Sequence, residues 1–326
     1  MPVAGSSILR PLVALILLGI LAVTLAIAVG SAQVGVGKVL WVFAGGGTEL
    51  DRTLILDLRL PRVLSAFAVG GLLAVAGALM QVLLRNPLAD PYVLGLSGGA
   101  AVGALLAMLA GLAGLVVSGS AFAGAMLATL LVFGLAHGSG SWTPSRLLLT
   151  GVVVAAGWGA LITLILAMTP AARLPGMLYW LMGDLSHSGQ PWPGLLVLLL
   201  VCLLVLPLGR SLNVLARGSM QAAALGVSVR PLEWLVYLLA SVLTATAVTM
   251  AGAVGFVGLV VPHMLRLLLG NDQRLILPAC ALAGGILLVL ADTVARVVIA
   301  PEQLPVGVIT ALLGVPTFLY LLYRSR

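Results

Sequence analysis

Apolar residues run along this chain in long blocks, and the short stretches between them gather the charges, prolines and clustered glycines. Ten blocks recur, over 12–29, 63–84, 93–109, 121–135, 147–168, 195–208, 235–253, 254–269, 275–299 and 306–322. A helix rising 1.5 Å per residue needs about 20 apolar residues to cross a bilayer. The pattern therefore predicts an all-α polytopic membrane protein of about ten transmembrane helices, built as one domain over 1–326. The seventh and eighth blocks are nearly continuous and are divided at Gly252, Gly255 and Gly258, because one unbroken helix would far overshoot the hydrocarbon thickness. The first block follows Arg10 and precedes Gly30, Ser31 and Ala32, which is the outline of a secretory signal. Its length and the nine blocks behind it read as an uncleaved first span.

Composition sharpens this picture. Of 326 residues, 62% are of the AVILMFWYC type and 8% are charged, which excludes a soluble globular domain and a disordered tail. The net charge of +7 is carried by scattered arginines, with Lys38 the only lysine, so no basic patch for nucleic acid forms. Ten spans place both termini on one side. With the termini inside, the inner loops hold ten arginines against three acids, and the outer loops hold six basic and six acidic residues. The whole excess falls on one face, which predicts an N-in, C-in topology.

No ionisable residue lies near the middle of any block, which argues against an ion-coupled carrier. His137, His187 and His263 fall near block ends and read as hydrogen-bonded helix-end residues; Cys202 and Cys280 read as apolar packing residues. No metal site and no catalytic constellation is read from the sequence: HExxH is missing, and so are paired acids within one helix. The stretch around Lys38 fails the phosphate-loop pattern at Ala32 and Val39. Gly95, Gly99, Gly103, Ala107 and Gly111 recur every four residues, a small-residue stripe that lets a neighbouring helix approach closely.

Four connections carry chemistry worth placing. The inner loop 85–100 has prolines at 87 and 91, each preceded by a turn former, Asn86 and Asp90. It reads as a rigid hairpin loop, and the glycines after it expose backbone where a pathway could open. The inner segment 209–231 predicts a helix over 212–225 capped by Gly226 and stopped by Pro231; a docking knob for a soluble partner and a helix lying on the membrane fit it equally. On the outer side, Arg59, Arg62 and Arg296 are placed to receive carboxylates of a partner. Equally, Asp292 sits four residues before Arg296 in the order that favours an ion pair, and Arg59 and Arg62 suit snorkelling. Finally, the outer segment 171–192 predicts a short interfacial or re-entrant helix beginning near Pro175, with Tyr179, Trp180 and Trp192 at headgroup depth. It serves either as a belt or as a lid with Met-rich walls.

Four motifs in order then resemble one family: Arg59-Leu60-Pro61-Arg62, the run 86–100 from Asn86-Pro87-Leu88-Ala89-Asp90-Pro91 to Leu94-Gly95-Leu96-Ser97-Gly98-Gly99-Ala100, the run Gly255-Phe256-Val257-Gly258 to Arg266, and Glu302-Gln303-Leu304-Pro305-Val306-Gly307. Over nearly the whole chain the sequence resembles the permease subunits of ATP-binding-cassette importers for vitamin B12, ferric siderophores and haem. That resemblance implies a homodimer in a bacterial inner membrane, two cytoplasmic ATPase subunits that hold the ATP, and a periplasmic or lipid-anchored binding protein. This chain would bind no cofactor and only lipid besides its protein partners. By the same resemblance Leu212, Leu215, Ala216, Ala222, Ala223, Leu225 and Gly226 form the ATPase-coupling element. Arg59, Arg62 and Arg296 dock the binding protein, while Asn86, Leu88, Pro144 and Ser145 form the cytoplasmic gate. Two positions depart from the family pattern: Ala223 stands where an arginine is expected, and Pro144 where a small hydroxyl residue is common. The implied activity is alternating access for a bulky iron chelate, haem or ferric siderophore, with cobalamin as the second substrate and an ion-coupled carrier as the alternative class.

Overall fold

The computed structural model describes residues 5–30, 34–137, 143–186 and 189–324, and His187 lies outside them, as do Ser31 and Ala32. The chain opens with α1 (Gly5–Ala28), α2 (Val36–Phe43) and α3 (Glu49–Arg52), the last running through a π-helical turn over Thr53–Arg59 into α4 (Leu60–Leu83). A hairpin of α5 (Leu96–Leu109) and α6 (Leu115–His137) follows, then α7 (Pro144–Met168), short α8 (Leu174–Leu181) and α9 (Trp192–Val205). Two small helices, α10 (Gly209–Leu215) and α11 (Ser219–Ala224), precede α12 (Val229–Ala251), α13 (Val257–Leu269), α14 (Gln273–Val297) and α15 (Val306–Arg324). Each of the ten apolar blocks is a helix. Among the described residues seven helical stretches are long and apolar enough to cross a bilayer, while Leu96–Leu109, Val257–Leu269 and Val306–Leu321 are shorter apolar helices.

α4 is the core. Every residue from Ala68 to Leu83 is buried, and α14, α12, α13, α9 and α1 pack around it. Apolar helices gain no hydrophobic energy by leaving lipid for one another, so close van der Waals approach has to hold them together. Glycine makes that approach possible at two levels. A Cβ at Gly70 would overlap the Gly284 carbonyl of α14 and the reverse holds, and lower down Gly77 meets the Gly258 carbonyl of α13. The small-residue stripe works the same way in the hairpin, where Gly99 abuts Gly124 and Gly103 abuts the Ser120 carbonyl; Gly111 lies beyond the helix, at φ 79°. The glycines after the 85–95 loop are therefore packing residues, since Gly98 also has no room beside Trp158 of α7.

The division of the seventh and eighth blocks falls at Gly252, whose φ of 67° ends α12, and helix resumes at Val257 after Phe256 in the left-handed region at φ 69°. Gly258 is inside the new helix, not part of the break. Neighbours stitch the break: the Asp184 amide donates to the Ala251 carbonyl at 2.8 Å, the Val254 amide to the Tyr92 hydroxyl at 3.2 Å, and the Gly307 amide to the Gly183 carbonyl at 3.3 Å.

Replacing Gly284 by alanine should destabilise the fold by about 1–3 kcal/mol, because the clash is with backbone that cannot move aside. Gly119→Ala, where nothing lies within 4 Å, should be neutral or stabilising by up to about 1 kcal/mol. Melting temperatures of the two variants in detergent check the contrast.

Candidate functional site: the two ends of the bundle

One end of the bundle carries the loop 84–95 and the segment 206–228, and the opposite end carries α2, α3 and α8. At the opposite end, α1 stops with no basic residue in its last turn to answer its free carbonyls. Two arginines from elsewhere serve it. Arg59 donates to the carbonyls of Ile27 at 2.7 Å and Ala28 at 3.2 Å, and Arg296 to those of Ala26 at 3.0 Å and Val29 at 3.3 Å. Gly30 makes the room, since a Cβ there would stand 2.9 Å from the Arg59 guanidinium. Asp292, 1% exposed, accepts from Arg296 Nε at 3.0 Å and from Arg62 through two nitrogens at 2.9–3.2 Å. Arg62 also donates to Gln303 at 2.6 Å.

This placement corrects the reading of Arg59 and Arg62 as snorkelling, and it changes what docking would demand. Arg59 and Arg296 are 7% and 6% exposed and engaged inside the chain. The ion pair of Asp292 with Arg296 is present as the spacing predicted. Its second partner, Arg62, is 230 residues away in sequence and could not be read from spacing.

Beside this cluster α8 lies across the end of the bundle. Leu174 is its first residue and Pro175 its second. Met177 is buried beneath the helix while Tyr179 is exposed. With the ends of α5 and α12 it walls a cleft of about 750 Å³ lined by Met108, Met177, Met250, Tyr179 and Trp180, with Arg173 donating to the Leu109 carbonyl at 2.5 Å.

At the other end the expected single helix over 212–225 is two helices. Ala216, Arg217 and Gly218 interrupt it, with Gly218 at φ 138°, a conformation that glycine alone adopts readily. The segment is therefore a bent hook. Leu212, Leu215 and Ala222 are buried and anchor it, so they are not available to touch a partner; Ala216, Ala223, Leu225 and Gly226 are exposed. Leu225 at 71% and Met220 at 87% stand furthest out. Gly226 ends the hook as predicted, with φ 81° and paired bonds from its amide to the Ala223 carbonyl and from the Val227 amide to the Ala222 carbonyl.

Sequence reasoning missed the base of the hook. Asn213 donates to Asp272 at 2.9 Å and accepts from the Gln273 amide at 2.7 Å, which ties α10 to the start of α14. Asp272 also caps that helix through the Arg274 amide and pairs with the Arg274 guanidinium at 2.6 Å. Hydrogen bonding to Arg274, with Asn213 adding to it, holds the Asp272 carboxyl down to about 2. Asn213 falls within the predicted helix, and an asparagine there was the available signal.

The 84–95 loop is rigid, as its prolines require. The Asn86 side chain accepts from the Leu88 amide at 2.9 Å, and Asp90 caps a 3-10 turn over Pro91–Leu94 by accepting from the Tyr92 amide at 2.7 Å. Leu88 is exposed at its tip. Pro144 begins α7, Ser145 follows it exposed, and Thr143, not a residue at 144, supplies the capping hydroxyl to the Arg146 amide. Beneath the loop, buried Gln81 donates to the Ala89 carbonyl at 3.3 Å and to the carbonyls of Gly258 and Leu259 at 3.4 and 3.3 Å, locking loop, α4 and α13 together.

The architecture defines a multi-pass helical membrane protein with a protruding hook at one end. Residues 16–324 match the FecCD transport family, and the chain belongs to that family of transporter permeases. Its relatives include the cobalamin import system permease BtuC of Halobacterium salinarum, 44% identical over 86% of this chain and 76% of that one. The hemin transport system permease HmuU of Yersinia pestis is 40% identical over 95% and 96%. A metal-chelate type ABC transporter solved in an inward-facing conformation superimposes with a TM-score of 0.86 at 30% identity, covering 97% of this chain and 99% of that one.

Two outcomes follow. Asp292→Ala leaves buried guanidiniums without their carboxylate and should cost about 3–5 kcal/mol of stability, read as a fall in melting temperature; Arg62→Ala, which leaves the Asp292 pair with Arg296 intact, should cost less. Burial raises the Asp90 carboxyl to about 6 against the Tyr92 amide that lowers it. A raised folded value means a contribution present in full below the ordinary carboxylate value of about 4 and lost as pH rises through 6. Asp90→Asn should therefore flatten the fall in melting temperature that the wild type shows between those two values.

Proposed function

We propose that this chain is the membrane-spanning half of an ATP-driven importer: a homodimer in a bacterial inner membrane, crossing it ten times with both termini inside. Two cytoplasmic ATPases sit on the hooks, and a binding protein delivers substrate at the opposite end. The family match along 16–324 carries this reading. The one-sided arginine excess supports the orientation, because it puts the hook in the cytoplasm. α7 supports the homodimer: it is the least covered of the long helices, and Gly157 and Gly159 on it have open space where another backbone could pack.

In this account ATP binding on the partner draws the hooks together. Ala216, Ala223, Leu225 and Gly226 meet the ATPase, and Leu212, Leu215 and the Asn213–Asp272 clamp carry the displacement into α14 and α4. Asn86, Leu88, Pro144 and Ser145 close the inner mouth, and α8 covers the outer one. Docking of the binding protein through Arg59, Arg62 and Arg296 then requires its carboxylates to compete with the α1 carbonyls for Arg59 and Arg296 and with Asp292 for Arg62, so association and release of the α1 terminus are coupled. The substrate is a bulky iron chelate, haem or a ferric siderophore, whose passage needs no charged residue at mid-membrane. Cobalamin is the second reading, favoured by the BtuC relative.

The test is ATPase stimulation in liposomes that hold the chain, its ATPase and its binding protein, challenged in turn with haem, a ferric siderophore and cobalamin. One ligand should stimulate hydrolysis, and Asn213→Ala should lower that stimulation at least several-fold while the ATPase still co-purifies. No ligand response and no ATPase association would overturn the proposal.

A further inference from the structure

At the base of the hook lies a pocket of about 550 Å³, bounded by the end of α4, by α10, and by the α13–α14 connection. Its lining holds four arginines, Arg85, Arg217, Arg266 and Arg274, and a single acid, Asp272. Asp272 is taken up by Arg274, and Arg85 reaches Glu233, outside the lining, at 3.4 Å. The other two guanidiniums have no carboxylate. Arg266, half-buried, is held by neutral acceptors, Gln81 Oε1 and the Ala78 carbonyl, and the exposed Arg217 guanidinium makes no hydrogen bond or ion pair among the described residues. A partly desolvated cation without an acid partner, as Arg266 is, is costly to hold, and with the unpaired Arg217 beside it marks a place prepared for an anion. A second feature narrows the ligand. Gln273, 2% exposed, belongs to the same lining and its Oε1 is buried without a hydrogen-bond partner, so an unused acceptor stands beside these donors.

We propose that this pocket binds a phosphate ester bearing free hydroxyls, of the phosphoglycerol type. Arg217 and Arg266 take the phosphate oxygens, which guanidinium donors suit by charge and geometry. A hydroxyl of the ligand donates to Gln273. The pocket lies on the end with the arginine excess, where basic pockets between helices meet the headgroups of anionic lipids, and a soluble glycerol phosphate carries the same chemistry. Occupied, the site joins α4, α10 and the start of α14 around one anion and braces the base of the hook.

The experiment is native mass spectrometry of the full-length chain in detergent, titrated with phosphatidylglycerol and with phosphatidylcholine of the same acyl chains. A parallel series uses sn-glycerol 3-phosphate. Phosphatidylglycerol should be retained at least about tenfold better than phosphatidylcholine, and Arg217→Gln and Arg266→Gln should each weaken it about fivefold. Arg10→Gln, the same charge change on the exposed face of α1, should leave it unaltered. Competition by sn-glycerol 3-phosphate, or binding of that compound alone, assigns the site to a soluble ester; retention of the lipid without competition assigns it to the headgroup. Arg217 is exposed and unpaired, so its variant should fold even where that of Arg266 does not. Equal retention of both lipids with no effect of sn-glycerol 3-phosphate would overturn the proposal, as would a loss in Arg10→Gln equal to that in Arg217→Gln. The readout is binding, so it stands apart from whether the chain transports the substrates named above.

Discussion

Where α4 crosses α14, Gly70 and Gly284 bring backbone against backbone, and the placement of both ends of the bundle follows from that contact. In lipid nothing but close approach and a few internal hydrogen bonds holds two apolar helices in register. With that register fixed, the first turns of α4 set Arg62 on Asp292 of α14, and its last turns set Gln81 against α13 and the loop 84–95. A slip of one turn would move each of these groups by about 5.4 Å and break them together. The second glycine contact, Gly77 with Gly258, holds α13 to the same frame although that helix begins only after the break at Gly252.

The elements around this frame are tied less tightly, and they are the ones given moving parts in the transport cycle. The hook is anchored by Leu212, Leu215, Ala222 and Asn213 and bends at Gly218. α7 leaves most of its surface uncovered. α8 rests on the Met-lined cleft at the end opposite the hook and is joined to the frame through the α12–α13 break. A rigid axis with displaceable attachments at both ends is what a permease needs if hydrolysis in a partner is to open one side and close the other.

Much of this was legible in the sequence because the bilayer imposes strong local rules. Apolar block length located every long helix, glycines marked the end of α12, and Gly226 marked the end of the hook. The i, i+4 spacing revealed the Asp292–Arg296 pair. What stayed hidden depended on partners far along the chain. The destination of Arg59 is a set of carbonyls some thirty residues earlier, and no periodicity encodes it. The burial of Leu212 and Leu215 follows from α10 lying against α4 and α14, whereas the same composition would suit an exposed helix. The interruption at Gly218 did have a local signal, the glycine itself, which helix propensity over the rest of the segment obscured.

The central claim is that movement of substrate is driven by a partner's ATP and not by an ion gradient. The most direct measurement is uptake of the stimulating ligand into proteoliposomes holding the chain with its ATPase and binding protein, with ATP supplied on the hook side and the proton and sodium gradients collapsed by ionophores. The account predicts uptake that continues under ionophore and stops when ATP is withdrawn. Uptake that collapses with the gradient and ignores ATP would contradict it.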